Sequence, residues 1–122
     1  MSKQQQIEEI LHRAVAEIIH PASLAKKLKG GKKLRIKLGI DPTSPNIHIG
    51  RAVVLWKLRA FQDLGHKVVF IIGDFTGQIG DTSDKDAERP MLSEADIKRN
   101  LKTYLQQAYK ILDKSKTEFH YN

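Results

Sequence analysis

Lys67 to Ile72, KVVFII, constrains the fold of this chain more than any other stretch. It is a nearly continuous apolar run, without the polar alternation of a strand that is solvated on one face. That is the pattern of a strand in a parallel sheet covered on both faces. Upstream, Leu34, Ile36, Leu38 and Ile40 alternate with Arg35 and Lys37, which reads as a strand in which Lys37 needs solvent, a ligand or a partner. From about Ile47 to Leu64, Ile49, Ala52, Val53, Trp56 and Ala60 line one helical face and Leu55 and Leu58 broaden it. Gly65 sits where a C-terminal stop belongs. Strand, helix and strand then make a right-handed crossover unit.

The flanks extend this unit. Ile7, Ile10, Leu11, Ala14, Val15, Ile18 and Ile19 recur at helical spacing, so the first segment is expected to be an amphipathic helix that His20 and Pro21 end. Ser23 to Lys29 reads as a second, short helix with Ser23 as N-cap and Gly30 as stop. Ser93 with Asp96 three residues on resembles a capping box. Ile97, Leu101, Tyr104, Leu105, Ala108 and Leu112 give the long helix after it a buried stripe. Phe119 and Tyr121 in TEFHY suggest one more strand. Three parallel strands with open edges look unfinished, because an exposed edge invites pairing or needs a cover.

A chain of 122 residues suits one domain. It carries 21 basic against 14 acidic residues, a net charge of +7. The excess gathers at Lys26, Lys27, Lys29, Lys32, Lys33, Arg35 and Lys37. Such a stripe attracts polyanions, although a solvated flank leading into a strand would look the same. Cysteine is absent, so there is no disulfide framework and no thiolate metal site. No apolar run approaches the roughly 20 residues needed to cross a bilayer, and MSKQQQIEE lacks a signal-peptide pattern. A cytoplasmic protein without membrane contact is the expectation.

Asp41, Pro42, Thr43, Ser44 and Pro45 break the first strand, and His48 and Gly50 fall at the first turn of the apolar helix. A helix start offers unpaired N–H groups and the positive end of the dipole, where phosphate binds. Gly50 costs helix stability, tolerable where a flat group must approach the backbone, and His48 adds a donor. Pro42 and Pro45 stiffen the turn, preorganising donors for charge on transferring phosphoryl oxygens. Neither the dinucleotide fingerprint nor the P-loop occurs to compete for that role. GDFTGQIGDTSDKDAERP, rich in glycine and aspartate, follows the buried strand at the end where open α/β sheets bind ligands. Its acids miss the calcium-loop spacing, so no dedicated metal site is expected. His12, His20, His66 and His120 show no paired ligand spacing and are expected at the surface or its boundary. Trp56 is expected in the core.

GIDPTSPNIHIGR, then FQDLGHKVVFIIGDFTGQIGD and KDAERP, together resemble the tyrosyl-tRNA synthetases, class I aminoacyl-tRNA synthetases, in the bacterial subgroup whose signature helix follows D-P-T-x-P. The resemblance runs from about Leu34 to the C-terminus. It implies an α/β fold, a Rossmann-like parallel sheet forming the first half of the catalytic domain over residues 34–122, preceded by an N-terminal helical segment, residues 1–33. His48, Ile49, Gly50 and Arg51 stand in place of the class signature His-Ile-Gly-His, so Arg51 departs from it. The resemblance implies ATP contacts by Gly39, Asp41, Pro42, Thr43, His48, Gly50 and Arg51, with His48 and Thr43 on the phosphates and Gly50 against the adenine. It implies tyrosine contacts by Asp41, Thr76 and Asp81, Asp81 holding the ammonium group. Lys85 and Arg89 match a basic pair that closes over pyrophosphate; with Thr43 and His48 they make the implied catalytic set. Here Asp81, Thr82, Ser83, Asp84 and Lys85 replace the usual D-P-S-G-K or D-P-T-G-K, and Lys37 occupies the place of a tyrosine that touches the substrate hydroxyl in relatives.

The implied reaction joins tyrosine to tRNA(Tyr) through tyrosyl-adenylate, with ATP and Mg2+ as substrate and no tightly bound cofactor, in a full-length form that is a homodimer. A Lys-Met-Ser-Lys-Ser loop and a C-terminal tRNA-binding region do not occur in these residues, so the chain is expected to be an N-terminal fragment, inactive or very weak alone. A small H-x-G-H nucleotidyltransferase and a non-catalytic truncated paralogue that binds nucleotide or tRNA are the alternatives.

Overall fold

The computed structural model describes residues 1–41, 49–73 and 93–121, with the backbone alone at Ile49. Its elements run α1 (Lys3–His12), α2 (Pro21–Lys29), β1 (Arg35–Ile40), α3 (Ile49–Asp63), β2 (Lys67–Ile72), α4 (Glu94–Ala108), a single 3-10 turn (Lys114–Lys116) and β3 (Thr117–Tyr121). The strands form one parallel sheet in the order β1-β2-β3, with Ile40 opposite Ile72 and Ile72 opposite Tyr121.

β2 is central, and its apolar run behaves as expected: Val68, Val69, Phe70 and Ile72 are all at most 1 % exposed. β1 keeps its alternation, Ile40 buried and Arg35, Lys37 and Gly39 exposed on the other face. Solvent is therefore what Lys37 receives. α3 and α4 cover the same face of the sheet, where Leu55, Leu58, Tyr104, Ala108 and Leu112 pack on Ile40, Val68 and Phe70. A second cluster joins the N-terminal helices to the end of α3: Ile7, Ile10 and Leu28 with Phe61, flanked by Leu24, Leu34 and Leu64.

The termini of α3 and α4 follow local chemistry. Gly65 has φ +95°, its N–H donates to the Gln62 carbonyl at 2.8 Å, and the His66 N–H donates to Phe61 at 3.1 Å. This Schellman pattern ends α3 on a glycine that adopts positive φ without strain. Ser93 and Asp96 form the expected reciprocal capping box.

Four expectations are corrected. α1 stops at His12 instead of His20, Ala14 adopts φ 55°, and Ile19 is 79 % exposed. The reason is Lys57 of α3, whose Nζ donates to the carbonyls of Glu9, Ile10 and Arg13 at 3.2, 3.0 and 2.6 Å. The Glu9 carbonyl also accepts the Arg13 N–H, but the Ile10 and Arg13 carbonyls, which a longer helix would use for its own ladder, are taken by the ammonium group. α2 starts at Pro21, not after Ser23, with His20 in the left-handed region as N-cap. Proline at the first helical position has its φ already set and no N–H to satisfy.

The buried stripe of α3 is rotated from the expected one. Leu55, Leu58, Phe61 and Gln62 face inward, while Val53 and Trp56 are 53 % and 60 % exposed, so Trp56 is not in the core. A polar requirement explains the choice. The Gln62 amide nitrogen lies 3.2, 3.1 and 2.9 Å from the Asp113 carbonyl, the Lys116 carbonyl and Thr117 Oγ1, and its oxygen accepts from the Asp113 N–H at 2.9 Å. This side chain satisfies the backbone that leads into β3. Finally, His66 is buried, its Nδ1 accepting the Leu34 N–H at 3.0 Å.

Two measurements check these features. Gln62→Leu takes the amide partner from the part-buried Lys116 carbonyl and Asp113 N–H, so urea unfolding is expected to show a loss of about 2–4 kcal/mol; an unchanged midpoint would refute the role given to the amide. Burial, with Lys3 adding a smaller effect, holds the pKa of His66 below its ordinary value. The unfolded chain thus takes up this proton first as pH falls. Stability attributable to His66 is complete above about pH 6.5 and declines below it. Unfolding midpoints between pH 7 and 5 should fall more steeply for the wild type than for His66→Asn.

Candidate functional site

Gly73 N–H donates to the Ile40 carbonyl at 3.0 Å, so the carboxyl ends of β1 and β2 leave the sheet side by side. α3 runs back from that edge to the amino end of β2, where Lys67 N–H meets the Leu34 carbonyl at 3.0 Å. Fifteen helical residues span about 22 Å and six strand residues about 20 Å, so the first turn of α3 comes level with the strand ends. α4 leads back to the amino end of β3 in the same way, bringing its own first turn to this edge.

Four residues singled out in the sequence are brought to this edge. Asp41, half-buried, follows β1 directly. Gly39, one residue inside the strand, is exposed, and a Cβ there would meet no described atom within 4 Å. Gly50 and Arg51 lie exposed in the first turn of α3. Pro42, Thr43, His48, Thr76, Asp81, Lys85 and Arg89, and the stretch 74–92 as a whole, lie outside the described residues.

The two helix ends at this edge differ in charge. α4 opens with Glu94 and Asp96, and the hydrogen bonds from Ser93 hold the Asp96 carboxyl below its usual pKa, so that end carries its own anions. The first turn of α3 has no acid, and Arg51 adds a cation to the positive end of the dipole. The charge of Arg51 acts on the Tyr104 phenol of α4. Tyr104 is 4 % exposed, its ring edge-on to Phe70 at 6.3 Å between centroids. Burial raises its pKa, with Arg51 opposing the rise, so the phenol stays neutral at ordinary pH.

The burial of Tyr104 is the one that the helical spacing of α4 predicts. The basic stripe lies elsewhere. Lys26, Lys27 and Lys29 complement the carboxyl end of α2, and Arg35 and Lys67 approach Glu118 across the strands at 3.5 and 3.7 Å. The exposure of Trp56 also has a location, a groove of about 570 Å³ between α1 and α3 lined by Glu9, Arg13, Val53, Trp56 and Lys57 among others. None of Gly39, Asp41, Gly50 and Arg51 lines it. Among the described residues, no helix is long and apolar enough to cross a membrane.

Known proteins were compared with this geometry. The family model for class I tRNA synthetases (W and Y) matches residues 28–122. The tyrosine–tRNA ligase of Dehalococcoides mccartyi is 57 % identical over 113 residues, covering 93 % of this chain and 28 % of the ligase. That of Thermotoga maritima is 51 % identical over 122 residues, covering 100 % of this chain and 30 % of the ligase. The chain thus spans less than a third of the length of these relatives. The crystal structure of tyrosyl-tRNA synthetase complexed with L-tyrosine from Archaeoglobus fulgidus superposes with a TM-score of 0.74 at 18 % identity, over 98 % of this chain and 34 % of that one. At that identity the likeness shows the fold, the Rossmann-like parallel sheet expected from the sequence. With the family model covering most of its length and a described sheet edge that accords with it, the chain belongs to the class I tRNA synthetases of the tryptophan and tyrosine group.

Proposed function

We propose that this chain forms the nucleotide-binding first half, residues 34–122, of the catalytic domain of a tyrosine–tRNA ligase, with residues 1–33 as a helical buttress. The observation that carries the reading is the carboxyl edge of the sheet. There Gly39 leaves open space beside the strand, Asp41 follows it, and α3 presents a first turn with a glycine, an arginine and no acid. High identity to tyrosine–tRNA ligases supports the choice of amino acid.

In this reading the triphosphate of ATP, with Mg2+ as part of the substrate, lies against the amino end of α3. His48 and Thr43 donate to its phosphates and Pro42 stiffens the turn that carries them. Gly50 lets the adenine approach the backbone, Gly39 leaves room beside it, and Arg51 adds charge. Asp41, Thr76 and Asp81 hold tyrosine, Asp81 pairing with its ammonium group. A tyrosine carboxylate oxygen then attacks the α-phosphorus, the bond to the bridging oxygen breaks, and pyrophosphate leaves with Lys85 and Arg89 closing over its charge. A terminal ribose hydroxyl of tRNA(Tyr) next attacks the tyrosyl carbonyl and AMP departs. Catalysis of this kind is positioning and charge stabilisation, which requires no covalent enzyme intermediate. The full-length form acts in the cytoplasm as a homodimer.

Tyrosine-dependent exchange of pyrophosphate into ATP tests the function. The protein as its gene encodes it is expected to catalyse exchange, and the 122-residue chain at least about a hundredfold more slowly, lacking a Lys-Met-Ser-Lys-Ser loop. Adenylylation of a phosphate acceptor without tyrosine would instead identify a nucleotidyltransferase, and nucleotide binding without any turnover a binding module. Gly39→Val is expected to raise the KM for ATP about tenfold or more with an unchanged thermal midpoint, because the strand accepts a β-branched residue and the nucleotide does not. An unaltered KM would remove Gly39 from the site.

A further inference from the structure

Lys3, Lys32, Lys33 and His66 come from three segments far apart in the sequence and line one cavity of about 130 Å³, with Gly31 and Gly65 beside them. It sits at the amino edge of the sheet, opposite the candidate site, where α1 begins, the chain enters β1 and α3 turns into β2. No acid lines the cavity, and α1 has none in its first turn. None of the three lysines forms an ion pair among the described residues. The histidine adds an independent observation. His66 is only 5 % exposed, and its Nδ1 accepts the Leu34 N–H at 3.0 Å. Burial, with Lys3 adding a smaller effect, favours the neutral ring, and a neutral ring whose Nδ1 accepts carries its proton on Nε2. That N–H meets no acceptor among the described residues and is not sealed from solvent, so it is left to face the cavity that His66 lines. A nearly buried donor of this kind is unfavourable until something takes its hydrogen bond.

We propose that this cavity is an anion site that takes one phosphate group, with His66 Nε2–H and the ammonium groups of Lys3, Lys32 and Lys33 donating to its oxygens. A phosphate presents oxygens in several directions and so meets donors arriving from three segments, where a carboxylate has only two oxygens to offer. The imidazole is held in place by Leu34, while the three lysines are exposed and carry compact charges on flexible stems that reach inward. Three unpaired cations around one cavity repel one another, and an anion between them removes that repulsion. Gly31 and Gly65 leave room beside it, since a Cβ on either would meet no described atom within 4 Å. The phosphate comes either from the free ion or from an RNA backbone, for which Lys26, Lys27 and Lys29 continue the charge along α2. None of these residues lies at the carboxyl edge, so the proposal is independent of the ligase reading.

The test is calorimetric titration of the protein as its gene encodes it, with inorganic phosphate and separately with a short RNA duplex. A sulfamoyl analogue of tyrosyl-adenylate is kept in excess, to fill the candidate site without offering a phosphate. His66→Asn keeps an acceptor for the Leu34 N–H and removes the Nε2 donor. Lys32→Gln with Lys33→Gln removes two ammonium groups from exposed positions. Each change is expected to raise the Kd about fivefold or more. Lys26→Gln with Lys27→Gln removes the same charge outside the cavity; it should alter the Kd for phosphate less than about twofold, and that for RNA less than the cavity pair does. Weakened binding of inorganic phosphate assigns the site to the free ion, and weakening confined to RNA assigns it to the backbone phosphate. The proposal is overturned if the wild type binds neither probe, if the cavity variants keep the wild-type Kd, or if the control pair loses as much as the cavity pair. Thermal midpoints report whether each variant is folded. Should His66→Asn not fold, the cavity pair against the control pair decides.

Discussion

Everything in this molecule is arranged around the burial of β2 on both its faces. Fully burying side chains such as Val68, Val69, Phe70 and Ile72 contributes about 1.5–3 kcal/mol each relative to leaving them exposed. β2 reaches that burial only with a strand on either side and helices across a face. Parallel pairing with β1 requires a crossover, and α3 is that crossover. Its return path from the carboxyl edge to the amino edge brings Gly50 and Arg51 level with Gly39, Asp41 and Gly73. The location of the candidate site is thus a consequence of how the core is closed.

Polar groups decide what apolar surface alone leaves open. α3 has apolar residues around much of its circumference, and hydrophobicity does not choose between the stripe with Val53 and Trp56 and the stripe with Leu55 and Leu58. Gln62 does. Only one rotation lets its amide serve the Lys116 carbonyl and the Asp113 N–H, part-buried groups that would otherwise lose this partner, as well as the Asp113 carbonyl. In that rotation Lys57 reaches the carbonyls of Glu9, Ile10 and Arg13 and holds α1 against α3. Desolvation lowers the Lys57 pKa, Glu9 raises it and Arg13 lowers it further. The three carbonyl contacts stabilise the ammonium form that this arrangement uses.

What was legible in the sequence follows from this division. The strands, the capping box at Ser93 and the stop at Gly65 depend on periodicity and local backbone chemistry, which neighbouring residues carry. The end of α1, the rotation of α3 and the burial of His66 depend on partners far along the chain: Lys57 for Glu9, Asp113 for Gln62, Leu34 for His66. Spacing within a segment holds no trace of such partners. The placement of Gly39, Asp41, Gly50 and Arg51 at the sheet edge follows from the ends of β1 and α3, which periodicity marks, whereas their roles come from the family resemblance alone. Tyr104 was legible as a buried ring, because the helical spacing of α4 marks its inward stripe.

The pairing of two helix ends at one sheet edge gives that edge a polarity. Both ends present N–H groups and positive dipoles, so both would attract the same anion. Glu94 and Asp96 remove α4 from the competition by placing carboxylates in its first turn, with the Asp96 side chain returned to the Ser93 N–H at 3.4 Å. α3 does the reverse, adding Arg51 without an acid in its first turn. Of the two described helix ends at this edge, charge therefore favours the first turn of α3 for an arriving anion.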